Sequence, residues 1–297
     1  MGIDDHAHDL LTVPAARNPV GAHVRVVKGL TGALTHLARI GGAAAQVFVG
    51  NPRGWALSPG DPAEDAAFRA ACERDDIPAF VHAPYLVNVG SPTPETYELS
   101  VGSIAHNLQR AAVIGARGVV VHTGSCVDDG GYEAAMAQVR KGLLPLLEEL
   151  DPAGPRLLLE PTAGQGRSLC AGVNDLGPYL DALDRHPMAG ICLDTCHVFA
   201  AGAPLDEPGG ATAMLDRLVE VAGTDRLGLV HANDSKDGRG SRHDRHERIG
   251  LGAIGDRAFA ELFTHPATAG VPFVVETPGE EAAIAEDIAR LVRLRDG

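Results

Sequence analysis

Six side chains able to bind divalent metals recur through the chain: His82, His122, Glu160, Asp194, His231 and Glu276. Successive members lie between 34 and 45 residues apart, about one strand–helix unit each. Each follows a short apolar run, and such a run ending in a polar residue reads as a buried strand opening into a loop. The clearest case is Ile191-Cys192-Leu193-Asp194, with His197 three residues later. An Asp-x-x-His step at that point could serve one metal or two neighbouring ones. A single His or Glu at a strand end is usually a hydrogen-bonded structural residue. Six in consecutive units are harder to explain that way, because burying so much charge without cations is costly. Mixed imidazole and carboxylate donors suit zinc, with manganese or iron as alternatives.

A second pattern extends the first. Asp244-Arg245-His246 places a carboxylate and an imidazole at i and i+2, so in an extended loop both face one side. With His197 they form a further three-ligand set, and His243 points the other way on this reading. The surrounding loop is basic, with Lys236, Arg239, Arg242, Arg245 and Arg248 against four acids. That is either a solvated charged loop or a holder of phosphates beside the metals.

The elements that must position these groups are legible as an alternation. Strands are expected at Ala22–Val27, Ala44–Val49, Ala79–Val81, Gly118–Val121, Arg156–Leu159, Gly190–Leu193, Arg226–Val230 and Pro272–Val275. Helical patterns lie between them, from Leu30–Ile40 through Val173–Arg185 to Glu280–Leu294. Asp61-Pro62 reads as an N-cap followed by proline in the first turn. Eight such units predict an α/β fold, a (β/α)8 TIM barrel with the metal cluster at the C-terminal mouth of its strands. The competing open sheet would carry a G-x-G-x-x-G turn after the first strand, and Gly29-Leu30-Thr31-Gly32 does not match it. The expected organisation is a flexible extension over residues 1–19 and one barrel over 20–297.

Composition bounds the setting. With 297 residues and 45% hydrophobic content the chain can fill a large core. Its apolar runs are too short for a membrane span, and residues 1–19 are no signal peptide. Five scattered cysteines without a C-x-x-C pair point to free thiols in a reducing cytoplasm. The formal charge of −14 gives no support for a general polyanion binder, though acids gathered around cations inflate that number. Nothing suggests a coiled coil, so a monomer is expected.

Taken in order, the motifs resemble the endonuclease IV family of apurinic/apyrimidinic endonucleases. The matching segments include Gly21-Ala22-His23-Val24, His82-x-x-Tyr85-Leu86-Val87-Asn88, His122-x-Gly124-Ser125, Glu160-x-Thr162-Ala163-Gly164, Leu193-Asp194-Thr195-Cys196-His197, His231-x-Asn233-Asp234-Ser235-Lys236, Asp244-Arg245-His246 and Glu276-Thr277-Pro278. The resemblance implies a barrel with three zinc ions per chain, manganese being possible at one or more positions. One ion would take His82, His122 and Glu160, and a second Glu160 as a bridge with Asp194, His231 and Glu276. The third would take His197, Asp244 and His246. It also implies cleavage of double-stranded DNA 5′ to abasic sites, leaving a 3′-hydroxyl and a 5′-deoxyribose phosphate, with possible cleaning of 3′ ends. Glu160 and Glu276 would act catalytically on a water acidified between two metals, with His23 in outer support.

Two departures bear on this. Pro161 stands where the family usually has Asn, removing an amide donor beside the metal ligands. In Asn51-Pro52-Arg53, Arg53 matches an arginine that enters the DNA stack, but Pro52 replaces the usual Gln. A proline ring can itself be an apolar wedge, and Tyr85 and Leu86 match the other inserting loop. Lys236 and Arg245 are the expected phosphate contacts. Two other readings stand beside this one. One is a metal-dependent sugar isomerase or epimerase of the same barrel superfamily. The other is an abasic-DNA binder without catalysis. The Asp244-x-His246 pair favours the nuclease, since a third metal has no obvious use on a neutral sugar.

Overall fold

The computed structural model describes residues 17–127 and 131–297. Eight parallel strands close into a barrel. Seven come in turn: β1 (Val20–His23), β2 (Ala45–Val47), β3 (Ala79–His82), β4 (Gly118–His122), β5 (Arg156–Glu160), β6 (Ala189–Asp194) and β7 (Leu227–His231). A short antiparallel ribbon follows, β8 (Asp234–Ser235) with β9 (His246–Glu247), and β10 (Phe273–Val275) then seals the barrel between β7 and β1. The helices around it are α1 (Leu30–Arg39), α2 (Pro62–Arg74), α3 (Pro94–Ile114), α4 (Tyr132–Glu148), α5 (Leu176–Ala182), α6 (Thr195–Ala200), α7 (Gly210–Ala222), α8 (Asp256–Thr264) and α9 (Glu281–Asp296). The expected barrel is present.

Local chemistry explains several boundaries. The Asp61 carboxylate accepts from Ala63 N and Glu64 N at 2.8 and 3.3 Å, with Pro62 in the first turn of α2. Gly115, at φ 72°, ends α3 in the left-handed conformation. Gly21 is required for another reason: a Cβ there would lie 1.8 Å from the Ala44 carbonyl oxygen.

The pleat of the strands places the site. Ala44, Phe80, Val120, Leu158, Cys192, Leu229 and Val274 form an apolar core inside the barrel. Two residues further along each strand the side chain points the same way. Those next positions are Gln46, His82, His122, Glu160, Asp194, His231 and Glu276, and His23 completes the ring two residues past Gly21. Register aligns neighbours within it: His23 opposite Gln46, His122 opposite Glu160, and Asp194 opposite His231. A larger apolar layer between strands and helices supports the ring from outside.

Three differences from the sequence reading have physical causes. β1 ends at His23 rather than Val27, because its partner strands are only three residues long, and Val26 and Val27 are exposed. The segment after Asp194 is not a loop but α6, whose six residues are all buried and so show no amphipathic period. The helix expected over 173–185 is a 3₁₀ turn at Val173–Asp175 leading into α5, and Asp184 and Arg185 turn at positive φ beyond it. Of the extension expected over 1–19, residues 1–16 lie outside the described residues. Asn18 is buried and donates to the Thr268 and Val271 carbonyls, and Pro19 accepts from Phe273 N at 2.8 Å. No described helix is long and apolar enough to cross a membrane.

Candidate metal centre

Glu160 lies at the middle of the ring. Its Oε2 stands 3.4 Å from both His82 Nε2 and His122 Nε2, and its Oε1 is 3.0 Å from His231 Nδ1. His231 Nδ1 also faces Glu276 Oε2 at 3.3 Å and Asp194 Oδ2 at 3.8 Å. On the far side Asp244 Oδ1 approaches His197 Nε2 to 3.2 Å and His246 Nε2 to 3.0 Å. His246 Nε2 lies 3.5 Å from Asp194 Oδ2, so Asp194 borders both the second and the third set. Ligand atoms fall within 4.8 Å of one another in five groups: His82, His122 and Glu160; Glu160, Asp194, His231 and Glu276; Asp194, His197 and His246; Glu160, Cys192 and His231; Cys196, Asp244 and His246. All nine residues singled out as metal ligands therefore meet in one place.

Backbone carbonyls orient most of the imidazoles. His82 Nδ1 donates to Ala83 O at 2.7 Å, His197 Nδ1 to Pro161 O at 3.1 Å, and His246 Nδ1 to Glu276 O at 3.3 Å. A carbonyl can only accept, so each Nδ1 carries a hydrogen and each Nε2 is the nitrogen turned to the cluster, where it can give its lone pair to a cation once its own proton has left. Pro161 retains the carbonyl that His197 uses, and its missing N–H costs nothing in that contact. His197 is further placed by α6, because Asp194 Oδ1 caps the helix by accepting from His197 N at 2.9 Å.

Two residues were given no role from the sequence. Asn233 donates from Nδ2 to Asp194 Oδ2 at 2.7 Å and accepts at Oδ1 from Glu276 N at 2.8 Å, bracing the Asp194 carboxylate and the Glu276 main chain at once. Gln46 Nε2 lies 2.8 Å from Glu276 Oε1, and its Oε1 lies 2.8 Å from His231 Nε2. Gln46 sits two residues after Ala44, in phase with the other ring members. A search for titratable groups passes over it. His23 Nδ1 reaches Glu276 Oε1 at 2.9 Å.

The electrostatics fit cations. Glu160 is 1% exposed; burial alone would raise its pKa, but His231 and His122 hold it well below the usual carboxylate range. Burial disfavours charge on the imidazoles too, yet the acids prevail at three of them. Asp194 and Asp244 lift His197 to about 10 and His246 to about 9, and Cys192, Glu276 and Glu160 raise His231 well above its ordinary value. His122 and His23 are lowered, chiefly by burial. Glu160 Oε2, His197 Nε2 and His246 Nε2 are buried without a hydrogen-bond partner among the described residues. Converging oxygens and lone pairs, some of them orphaned, suit divalent cations of the zinc or manganese type. Protons held by the three raised imidazoles must leave when cations bind. Loading the metal-free protein at pH 7 should release protons, and affinity should rise with pH. A pH indicator in weak buffer measures this, and loading without proton release would contradict it.

The centre opens into a cleft of about 1320 Å³ whose lining includes Pro52, Arg53, Tyr85, His122, Asp244 and Glu276. Tyr85 and Leu86 are exposed, and Tyr85 N donates to Pro52 O at 3.0 Å, tying the two rim loops together. Asn51 is exposed and braces its loop by accepting from Arg53 N at 3.0 Å. Lys236 and Arg245 are exposed and adjacent across the β8–β9 ribbon, with Lys236 N donating to Arg245 O at 2.9 Å. Two cations of the basic loop are committed elsewhere: Arg239 pairs with Asp206 and Glu207, and Arg248 with Glu286 and Asp287. His243 pairs with Asp237 on the surface.

Comparison with known proteins now defines the class. The family model described as "Xylose isomerase-like TIM barrel" matches residues 34–294. A probable endonuclease 4 of Streptomyces coelicolor is 55% identical over 283 residues, covering 95% of this chain and 96% of that protein. One from Methanoculleus marisnigri is 37% identical, covering 93% and 98% respectively. The crystal structure of endonuclease IV from Thermus thermophilus superposes with a TM-score of 0.82 at 35% identity, over 94% of this chain and 99% of that one. A D-tagatose 3-epimerase-like protein superposes with a TM-score of 0.70 at 20% identity, over 94% and 98%, a likeness of fold alone. Among the xylose isomerase-like TIM barrels, this chain belongs to the endonuclease IV family.

Proposed function

We propose that this protein is a DNA-repair endonuclease that hydrolyses the phosphodiester 5′ to abasic sites in duplex DNA, leaving a 3′-hydroxyl and a 5′-deoxyribose phosphate. It acts as a monomer in the cytoplasm. The observation that carries the reading is the third ligand set. His197, Asp244 and His246 converge at the edge of the ring, beside a ribbon bearing Lys236 and Arg245. A neutral sugar would make no use of that set. A phosphodiester with two charged oxygens and a leaving oxygen would.

Three zinc ions bound there, with manganese as the alternative, supply Lewis-acid stabilisation of phosphate charge and an acidified water. The protein's own residues do the rest. Glu160 holds two ligand sets at a fixed separation, one through each carboxylate oxygen. Glu276, braced by Gln46, His23 and Asn233, orients the attacking water against the phosphate. Tyr85 and Leu86 on one rim loop, with Asn51, Pro52 and Arg53 on the other, fill the gap left by the missing base. Their tie through Tyr85 N and Pro52 O makes them a single wedge. An abasic sugar is cheaper to turn out than a paired nucleotide, and that difference is a source of selectivity.

Offering the zinc-loaded protein an abasic duplex and a panel of free ketoses in parallel separates the nuclease from the epimerase reading. Incision with no sugar turnover supports the nuclease. Turnover of a ketose with the duplex left intact would reject it.

A further inference from the structure

Three of the imidazoles in the centre have their hydrogen placed by the main chain, through the carbonyls of Ala83, Pro161 and Glu276. His231 is turned the other way, with Nδ1 toward the carboxylates and Nε2 against the side-chain oxygen of Gln46 at 2.8 Å. We infer that Gln46 is a positioning residue that fixes which nitrogen of His231 serves as the metal ligand, under the direction of Glu276.

The chain of cause runs through one amide. Glu276 Oε1 is a carboxylate oxygen and needs a donor, so the Gln46 end that meets it at 2.8 Å must be the NH2 group. Reversing the amide would set two acceptors against each other. With the nitrogen committed, Oε1 must face His231, and an amide oxygen only accepts. His231 Nε2 therefore keeps its hydrogen, and Nδ1, turned toward Glu160, Asp194 and Glu276, is the nitrogen that gives its lone pair to a cation. Gln46 cannot swing away, since it is fully buried on β2, one strand from Glu276 across β1. One neutral side chain thus couples two ligands of the same set: it orients a carboxylate with one end and selects the imidazole tautomer with the other.

This inference rests on the proposed cation centre but not on DNA being the substrate, and its test reads metal binding. The protein, labelled with 15N-histidine and loaded with 113Cd, reports which ring nitrogen of each histidine couples to the metal. The wild type should show coupling to Nδ1 of His231 and to Nε2 of His82, His197 and His246, with the His231 Nε2 hydrogen retained. In Gln46→Leu, and in Gln46→Met as a roomier apolar control, the His231 coupling should be lost or moved to Nε2 while the other three persist. One metal equivalent should then pass to a chelator at an affinity about 10- to 100-fold weaker. Unchanged His231 coupling and unchanged retention in either folded variant would overturn the role of Gln46. If the wild type itself binds no cadmium, the cation centre fails instead.

Discussion

Glu160→Gln should cut incision of an abasic duplex by roughly a thousandfold or more, about 4 kcal/mol of transition-state stabilisation, while leaving the protein folded. Glu160 divides its two oxygens between neighbouring sets, Oε2 toward His82 and His122 and Oε1 toward His231. Glutamine has the same size, but one of its ends becomes a donor. That NH2 would face imidazole lone pairs already positioned to bind a cation, and the bridge between sets would be gone. The fold has little to lose, because the Glu160 carbonyl still accepts from Thr123 N and the barrel register does not involve the side chain. Single-turnover incision, metal content and a thermal melt, taken together, measure all three consequences. Near-wild-type incision would remove Glu160 from the centre of the chemistry.

Asp234→Ala should have the largest effect on stability, about 3 to 5 kcal/mol, from several buried N–H groups orphaned at about 1–3 kcal/mol each. The carboxylate is fully buried and makes no direct ion pair among the described residues, Arg290 acting on it only at a distance. Its Oδ1 accepts from Ser235 N at 2.8 Å and Ile254 N at 2.9 Å, and its Oδ2 from Gly250, Gly252 and Gly255 N at 2.9, 3.2 and 3.3 Å. Burial raises its pKa against the pull of those amides, so the site strains to keep the charge in exchange for a closed loop. Gly252 allows the approach: a Cβ there would meet Asp234 Oδ1 at 2.4 Å. Loss of the carboxylate should lower the melting temperature by roughly 10 °C, at about 2–4 °C per kcal/mol for a chain of this size. Incision should fall with it, since β8 carries the register Ser235 to His246 that holds a ligand in place. An unchanged melt would show that the loop closes without Asp234.

The barrel and six of the nine candidate ligands were legible for one reason. A period-2 strand that ends in a donor residue carries its own address, and six strands repeat it. The same period points to Gln46 two places after Ala44, but glutamine is neither a usual ligand nor an acid, so chemistry-led reading ignores it. α6 was hidden because burial on all sides erases the 3.6-residue rhythm, leaving only an apolar run. Val26 and Val27 misled in the opposite sense: β-branched residues continued past a strand whose partners had already stopped. Asp194 was read as serving one metal set, and only three-dimensional placement reveals that its Oδ2 borders two. The commitments of Arg239 and Arg248 to acids on other elements lie beyond any local pattern, since those partners come from the α6–α7 connection and from α9.

The most direct test is a gel assay on a duplex with a single abasic analogue, run beside the intact duplex. Native protein, chelator-stripped protein and stripped protein reloaded with zinc or manganese are compared. The expected result is one nick 5′ to the lesion, absent from the intact duplex, lost on stripping and restored by either metal. Tight binding to the lesion with no nick under any metal, or equal cutting of both duplexes, would contradict it.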